Sequence, residues 1–123
     1  EEVDDNLNKT ITETVSVDQV RIDGVVKRAD ILKLDLQGYE LQALRGATGI
    51  LDECKIVFTE VVFEEIYEEN AMCWEIDRFL RENGVALYNY YELYTRLGGN
   101  LSGGDAIYLN TAHFDMETLD VKT

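Results

Sequence analysis

Ile31, Leu32 and Leu34 form a short apolar run broken only by Lys33, and a polar cluster of Asp35, Gln37, Gly38 and Glu40 follows it. Beyond Gly38 the apolar positions change to helical spacing at Leu41, Leu44 and Ala47, with Ile50 and Leu51 continuing the face. This order predicts a buried, inner parallel strand over 30–36 that opens into a helix. Ligands of open α/β sheets bind at the carboxyl ends of such strands, so the polar cluster is the first place to look for chemistry. Gly46 and Gly49 weaken the helix and permit a kink or close packing. A second buried strand is predicted over 55–63, where Ile56, Val57 and Phe58 precede Thr59 and Glu60. Strand, helix and strand in this order make one right-handed parallel unit.

The flanking segments carry weaker signals. Residues 1–9 are polar and read as frayed or disordered. Residues 10–17 are rich in β-branched side chains and read as a strand. Ser16 or Asp18 is positioned to cap a short helical turn through Val20, and Gly24, Lys27 and Arg28 mark a loop. Glu64, Glu65, Glu68 and Glu69 read as a solvated face. A helix is predicted over 71–82, capped by Asn70 and stopped by Asn83 and Gly84, with Ile76, Phe79 and Leu80 on its apolar side. A third strand at 85–88, a polar-aromatic connection at 90–96, a flexible glycine-rich loop at 97–104 and a last strand at 105–110 follow. With no helix between them, the last two strands pair antiparallel. The tail over 111–123 reads as a weak terminal helix.

The chain has 123 residues and 46% apolar content, which suits one domain with a modest core. Twenty-five acidic residues against 11 basic ones leave a formal charge of −14, a surface that repels phosphate backbones, so no nucleic-acid partner is expected. No apolar run approaches the roughly 18 residues of a membrane span, and residues 1–9 lack a signal-peptide pattern, so no membrane partner is expected. Cys54 and Cys73 are too few for a disulfide framework and read as small buried hydrophobes in a reducing, cytoplasmic compartment.

Three features together resemble one family. They are Lys33-Leu34-Asp35-Leu36-Gln37-Gly38-Tyr39-Glu40 with Leu44-Arg45-Gly46-Ala47, the strand ending in Glu60, and Leu80-Arg81-Glu82-Asn83-Gly84 before a strand. Over about residues 14–110 the chain is similar to FkbM-type methyltransferases, which use S-adenosylmethionine and mostly methylate hydroxyl groups of sugars or natural products. The resemblance implies the carboxyl-terminal half of a Rossmann-like, class I methyltransferase sheet, two parallel strands plus an antiparallel pair. The family's glycine-rich cofactor turn is missing, because Gly98-Gly99 and Gly103-Gly104 lie between late strands. Residues 1–123 are therefore expected to be one partial domain, inactive alone, whose unpaired inner edge promotes self-association. A non-catalytic α/β binding module and half of another nucleotide-using α/β enzyme are the alternatives.

The resemblance also suggests roles. Asp35 orients the acceptor, acts as base, helps hold cofactor or metal, or simply caps the next helix. Glu60, at the end of the neighbouring strand, is the second catalytic candidate. Gln37 and Gly38 are candidates for cofactor contact, although a glutamine cannot serve as base. Glu40, Tyr88 and Tyr90 are candidates for binding a small, sugar-like acceptor, with a first-turn acid and packed aromatics as the alternatives. Tyr91 and Tyr94 could line the same pocket, with packing again the alternative. Asp35 and Glu60 permit Mg2+ without demanding it, so no metal is predicted. His113, in the tail, reads as solvated.

Overall fold

The computed structural model describes residues 13–122. Four strands, β1 (Ile31–Leu34), β2 (Ile56–Val62), β3 (Val85–Thr95) and β4 (Leu101–Asn110), form one mixed sheet in the order β1-β2-β4-β3. β1 and β2 are parallel, and β4 is antiparallel to both β2 and β3. β3 therefore runs in the same direction as β1 and β2, and the carboxyl ends of these three strands share one side of the sheet. The short helices α1 (Ile22–Val25), α2 (Glu40–Arg45) and α3 (Thr48–Leu51) and the longer α4 (Cys73–Glu82) complete the fold.

Alternation along β2 shows how the core is built. Val57, Thr59 and Val61 are buried, whereas Ile56, Phe58 and Glu60 are half-buried on the opposite face. The buried face packs with Leu41 and Leu44 of α2, Leu51 of α3, Cys73, Ile76 and Leu80 of α4, and Ala106 and Tyr108 of β4. Cys54 and Cys73 are free and buried. Asn110 closes the far end of the core. Its Nδ2 donates to the carbonyls of Leu51, Asp52 and Cys54 at 3.0, 3.1 and 2.8 Å, and its Oδ1 accepts from the Ala112 N–H at 3.0 Å.

Several expectations need correction. Among the described residues β1 is the border strand of the sheet and pairs only with β2, so Ile31 is 61% exposed. The helix expected after Gly38 is broken in two. Asp23 of α1 lies against the break: its N–H donates to the Gly46 carbonyl and its carboxylate accepts from the Gly49 N–H, both at 2.9 Å. The Arg21 guanidinium and the Gly49 N–H pull the Asp23 pKa down to about 2. The early helical turn falls at Ile22–Val25, after Val20 rather than before it. The strand expected over 10–17 has no strand structure at 13–17, and its first three residues, like residues 1–9, lie outside the described residues. α4 starts at Cys73, where Glu75 accepts from the Met72 N–H at 2.7 Å, so Asn70 is not its cap.

The segment 90–96 is largely strand, and only residues 96–100 connect β3 to β4. Gly103 and Gly104 sit inside β4, where a Cβ would collide with Tyr94 and with Leu93. The tail is no helix. It folds back through a Phe114–Val121 bridge, and the His113 ring nitrogen lies 3.2 Å from the Asp52 carbonyl.

Candidate functional site

Strand register brings the predicted carboxylates together. The last β1–β2 pair is Leu34 with Thr59, so Asp35 leaves the sheet beside Glu60. Glu60 pairs with Asp105 of β4, and Asp105 pairs with Tyr91 of β3. Three carboxylates thus line one row across neighbouring strands. Two tyrosines join them. Tyr94 comes from β3, and Tyr67, which no sequence pattern singles out, comes from the turn after β2. Burial first, and then the nearby charge of Glu60, raise the pKa values of both.

Glu60 is the centre of this row. Its Oε1 is buried and has no hydrogen-bond partner. Burial, reinforced by the negative charges of Glu40, Asp35 and Asp105, raises its pKa, and the Tyr67 hydroxyl partly offsets the rise. Asp105 is raised for the same reasons, desolvation first and Asp35 next, with Lys33 acting against them. Lys33 also places its Nζ 5.5 Å from the Phe58 ring centre. A carboxylate whose proton affinity is raised is better suited to accept a proton near neutral pH than an ordinary surface acid.

Because the ionised form of Glu60 is disfavoured by folding, its effect on stability has a definite sign. The native state is unpenalised below the unfolded carboxyl value of about 4.3 and loses stability as pH rises through the higher folded value. Glu60→Gln is therefore expected to stabilise the protein by about 1 kcal/mol at neutral pH, allowing for partial exposure, with no gain near pH 4. Urea denaturation at both pH values checks this, and an equal effect at both removes the carboxylate as the cause.

The turn that follows β1 is held by its own side chains. Glu40 is only 4% exposed, and its two oxygens accept from the Leu36 N–H at 2.8 Å and the Gly38 N–H at 3.0 Å. Both oxygens are thus engaged by backbone N–H groups of the turn, with Glu40 in the first turn of α2. Gln37 and Gly38 both take positive φ, +51° and +104°. A Cβ on Gly38 would lie 2.9 Å from the Cβ of Tyr67 and 3.0 Å from that of Asn70, so its missing side chain makes room for the 67–70 turn. The side chains of Asp35 and Gln37 remain exposed at the tip. Asn70 holds the second turn, its Oδ1 accepting from the N–H groups of Ile66 and Tyr67 at 2.8 Å each.

Tyr88 and Tyr90 are not brought to the row. Tyr88 sits in a bulge between Leu87 and Asn89, level with Val57 and Phe58 and short of the strand ends. Tyr90 packs toward α4, with its hydroxyl 3.3 Å from the Cys73 sulfur and its ring edge-on to Phe63 at 5.7 Å. Burial raises its pKa strongly. On the far side of the β1 turn, Leu36, Tyr39, Ala43, Val20 and Arg21 line a cavity of about 570 Å3 that the sequence did not reveal. Among the described residues no three carboxylate, imidazole or thiol groups are grouped closely enough to hold a metal ion. No helix among them is long and apolar enough to cross a membrane.

A family model for the methyltransferase FkbM domain matches residues 2–87, well over half of the chain. The chain belongs to the FkbM methyltransferase family. The matched span holds Asp35, Gln37, Gly38, Glu40, Glu60 and Tyr67, whereas Tyr94 and Asp105 lie beyond it. No curated protein and no solved structure matches the chain. FkbM methyltransferases generally take the methyl group from S-adenosylmethionine. Asp35 and Gln37 fit such a ligand, one offering a carboxylate to its cationic end and the other an amide, both exposed on the turn.

Proposed function

We propose that the chain is the carboxyl-terminal part of a Rossmann-like, class I methyltransferase domain that methylates a hydroxyl of a small, sugar-like acceptor. The observation that carries this reading is the buried, unpartnered Oε1 of Glu60 at the sheet's carboxyl edge, beside Asp35. Bound S-adenosylmethionine supplies an electrophilic methyl group. What remains for the protein is to align the acceptor oxygen and take its proton. Asp35, exposed at the tip of β1, aligns the hydroxyl, and Glu60, with its raised proton affinity, receives the proton. Tyr67 and Tyr94 offer further hydroxyls to a polyol. The three co-directional strands, with β4 antiparallel between β2 and β3, support the sheet assignment.

Titration calorimetry of the full-length protein with S-adenosylmethionine, with and without magnesium, tests the reading. Saturable binding is expected, and its absence favours a non-catalytic module. In protein that turns over, Asp35→Ala is expected to lower kcat roughly 100-fold while circular dichroism stays unchanged. Unchanged turnover takes Asp35 out of the mechanism.

A further inference from the structure

We propose that Glu40 is a positioning residue: its carboxylate, by accepting from the Leu36 and Gly38 N–H groups, holds the 35–39 turn against the 67–70 turn and so sets Asp35 and Tyr67 around Glu60. This rests on the methyltransferase reading for its purpose, but not for its geometry.

The two turns form one unit. An isolated turn with positive φ at two successive residues is costly. Glu40 offsets that cost with two charge-assisted hydrogen bonds from a site that is 4% exposed. Asn70 performs the same service for the neighbouring turn. Gly38 is where they meet, its backbone set against the Cβ atoms of Tyr67 and Asn70. A shift of the first turn therefore moves Asp35 directly and Tyr67 through Gly38. Glu40 also acts through space, because its negative charge is felt at Glu60 and at Tyr67. The groups that bear on Glu60 are Asp35 and Glu40 from the first turn, Tyr67 from the second, Asp105 from β4 and Tyr94 from β3, with Lys33 of β1 acting on Asp105.

Glu40→Gln is nearly isosteric but replaces one acceptor oxygen with an amide that cannot accept. Exchange of the Leu36 or the Gly38 amide is then expected to rise roughly ten-fold by NMR. In the same variant the titration midpoint of the Glu60 carboxyl is expected to fall, because a like charge is removed, and the Tyr67 ring resonances to move. A turn brace without a positioning role raises exchange and lowers the Glu60 midpoint through the lost charge, but leaves the Tyr67 ring resonances in place. Unmoved Tyr67 resonances overturn the proposal, whatever the Glu60 midpoint does. Should Glu40→Gln fail to fold, Glu40→Asp supplies the test. Its shorter carboxylate keeps the charge but cannot reach both amides, so exchange at Leu36 or Gly38 is expected to rise while the Asp35 and Tyr67 side-chain resonances move together, and unmoved resonances overturn the proposal. Neither measurement uses S-adenosylmethionine, so failure here is distinct from failure of the proposed function.

Discussion

Gly38→Ala is expected to destabilise the protein by about 3 kcal/mol, combining a left-handed backbone strain of about 1–2 kcal/mol with a steric clash of similar size. The φ of +104° disfavours any side chain, and the new Cβ would approach the Tyr67 and Asn70 Cβ atoms to 2.9 and 3.0 Å. Those atoms are fixed to the backbone and cannot rotate away. For a domain of this size the loss corresponds to roughly 10 °C in melting temperature. Gly84 is the internal control. It has φ +75° but nothing within 4 Å of the point where a Cβ would stand, so Gly84→Ala is expected to cost only about 1 kcal/mol. Thermal denaturation of both variants decides the matter, and equal losses remove the contact with Tyr67 and Asn70 from the explanation. Because that contact joins the two turns around Glu60, Gly38→Ala also disturbs the row of carboxylates.

Asn110→Ala is expected to cost about 3 kcal/mol or more. The side chain is 3% exposed and donates to three carbonyls at the end of α3 and the start of β2. Its removal leaves the Cys54 carbonyl and the Ala112 N–H without partners, and takes one of two polar contacts from each of the Leu51 and Asp52 carbonyls, in a place water barely reaches; each loss costs about 1 kcal/mol or more. Asn110→Asp separates hydrogen bonding from packing. A carboxylate cannot donate and sets negative charge against the carbonyls, so it is expected to be as damaging as alanine at neutral pH and to recover as pH falls and the acid protonates. Urea midpoints at neutral and acidic pH give the comparison, and a pH-independent loss in Asn110→Asp contradicts the hydrogen-bond account.

The parts of the site that were legible are those whose signal is local. The apolar run at 31–34, the acid at its end and the matching run at 56–58 predict two parallel strands whose ends meet, and Asp35 does leave the sheet beside Glu60. Gly46 and Gly49 foretold a break, although not that Asp23 would lie against it. The sequence pattern of β3 stops short of the strand's true end because its register shifts between Leu87 and Asn89 and again between Tyr91 and Tyr94. Each bulge interrupts the alternation on which recognition of a strand depends. Gly103 and Gly104 looked like loop residues for the same reason that they belong in a strand: the missing Cβ is space, and only the fold shows that Tyr94 and Leu93 fill it.

The amino-acid order by itself determined the α/β class, the FkbM resemblance and the pair Asp35 and Glu60, because hydrophobic period and strand-end polarity act over a few neighbouring residues. Tertiary structure alone decided which polar groups are spent and which are left. It turned Glu40 and Asn70 inward onto backbone amides, drew Tyr90 under α4, brought Tyr67 and Tyr94 toward Glu60 and left one oxygen of Glu60 unpaired. Those outcomes depend on register and on contacts between residues far apart in the chain, where burial and neighbouring charge reset what each side chain can do.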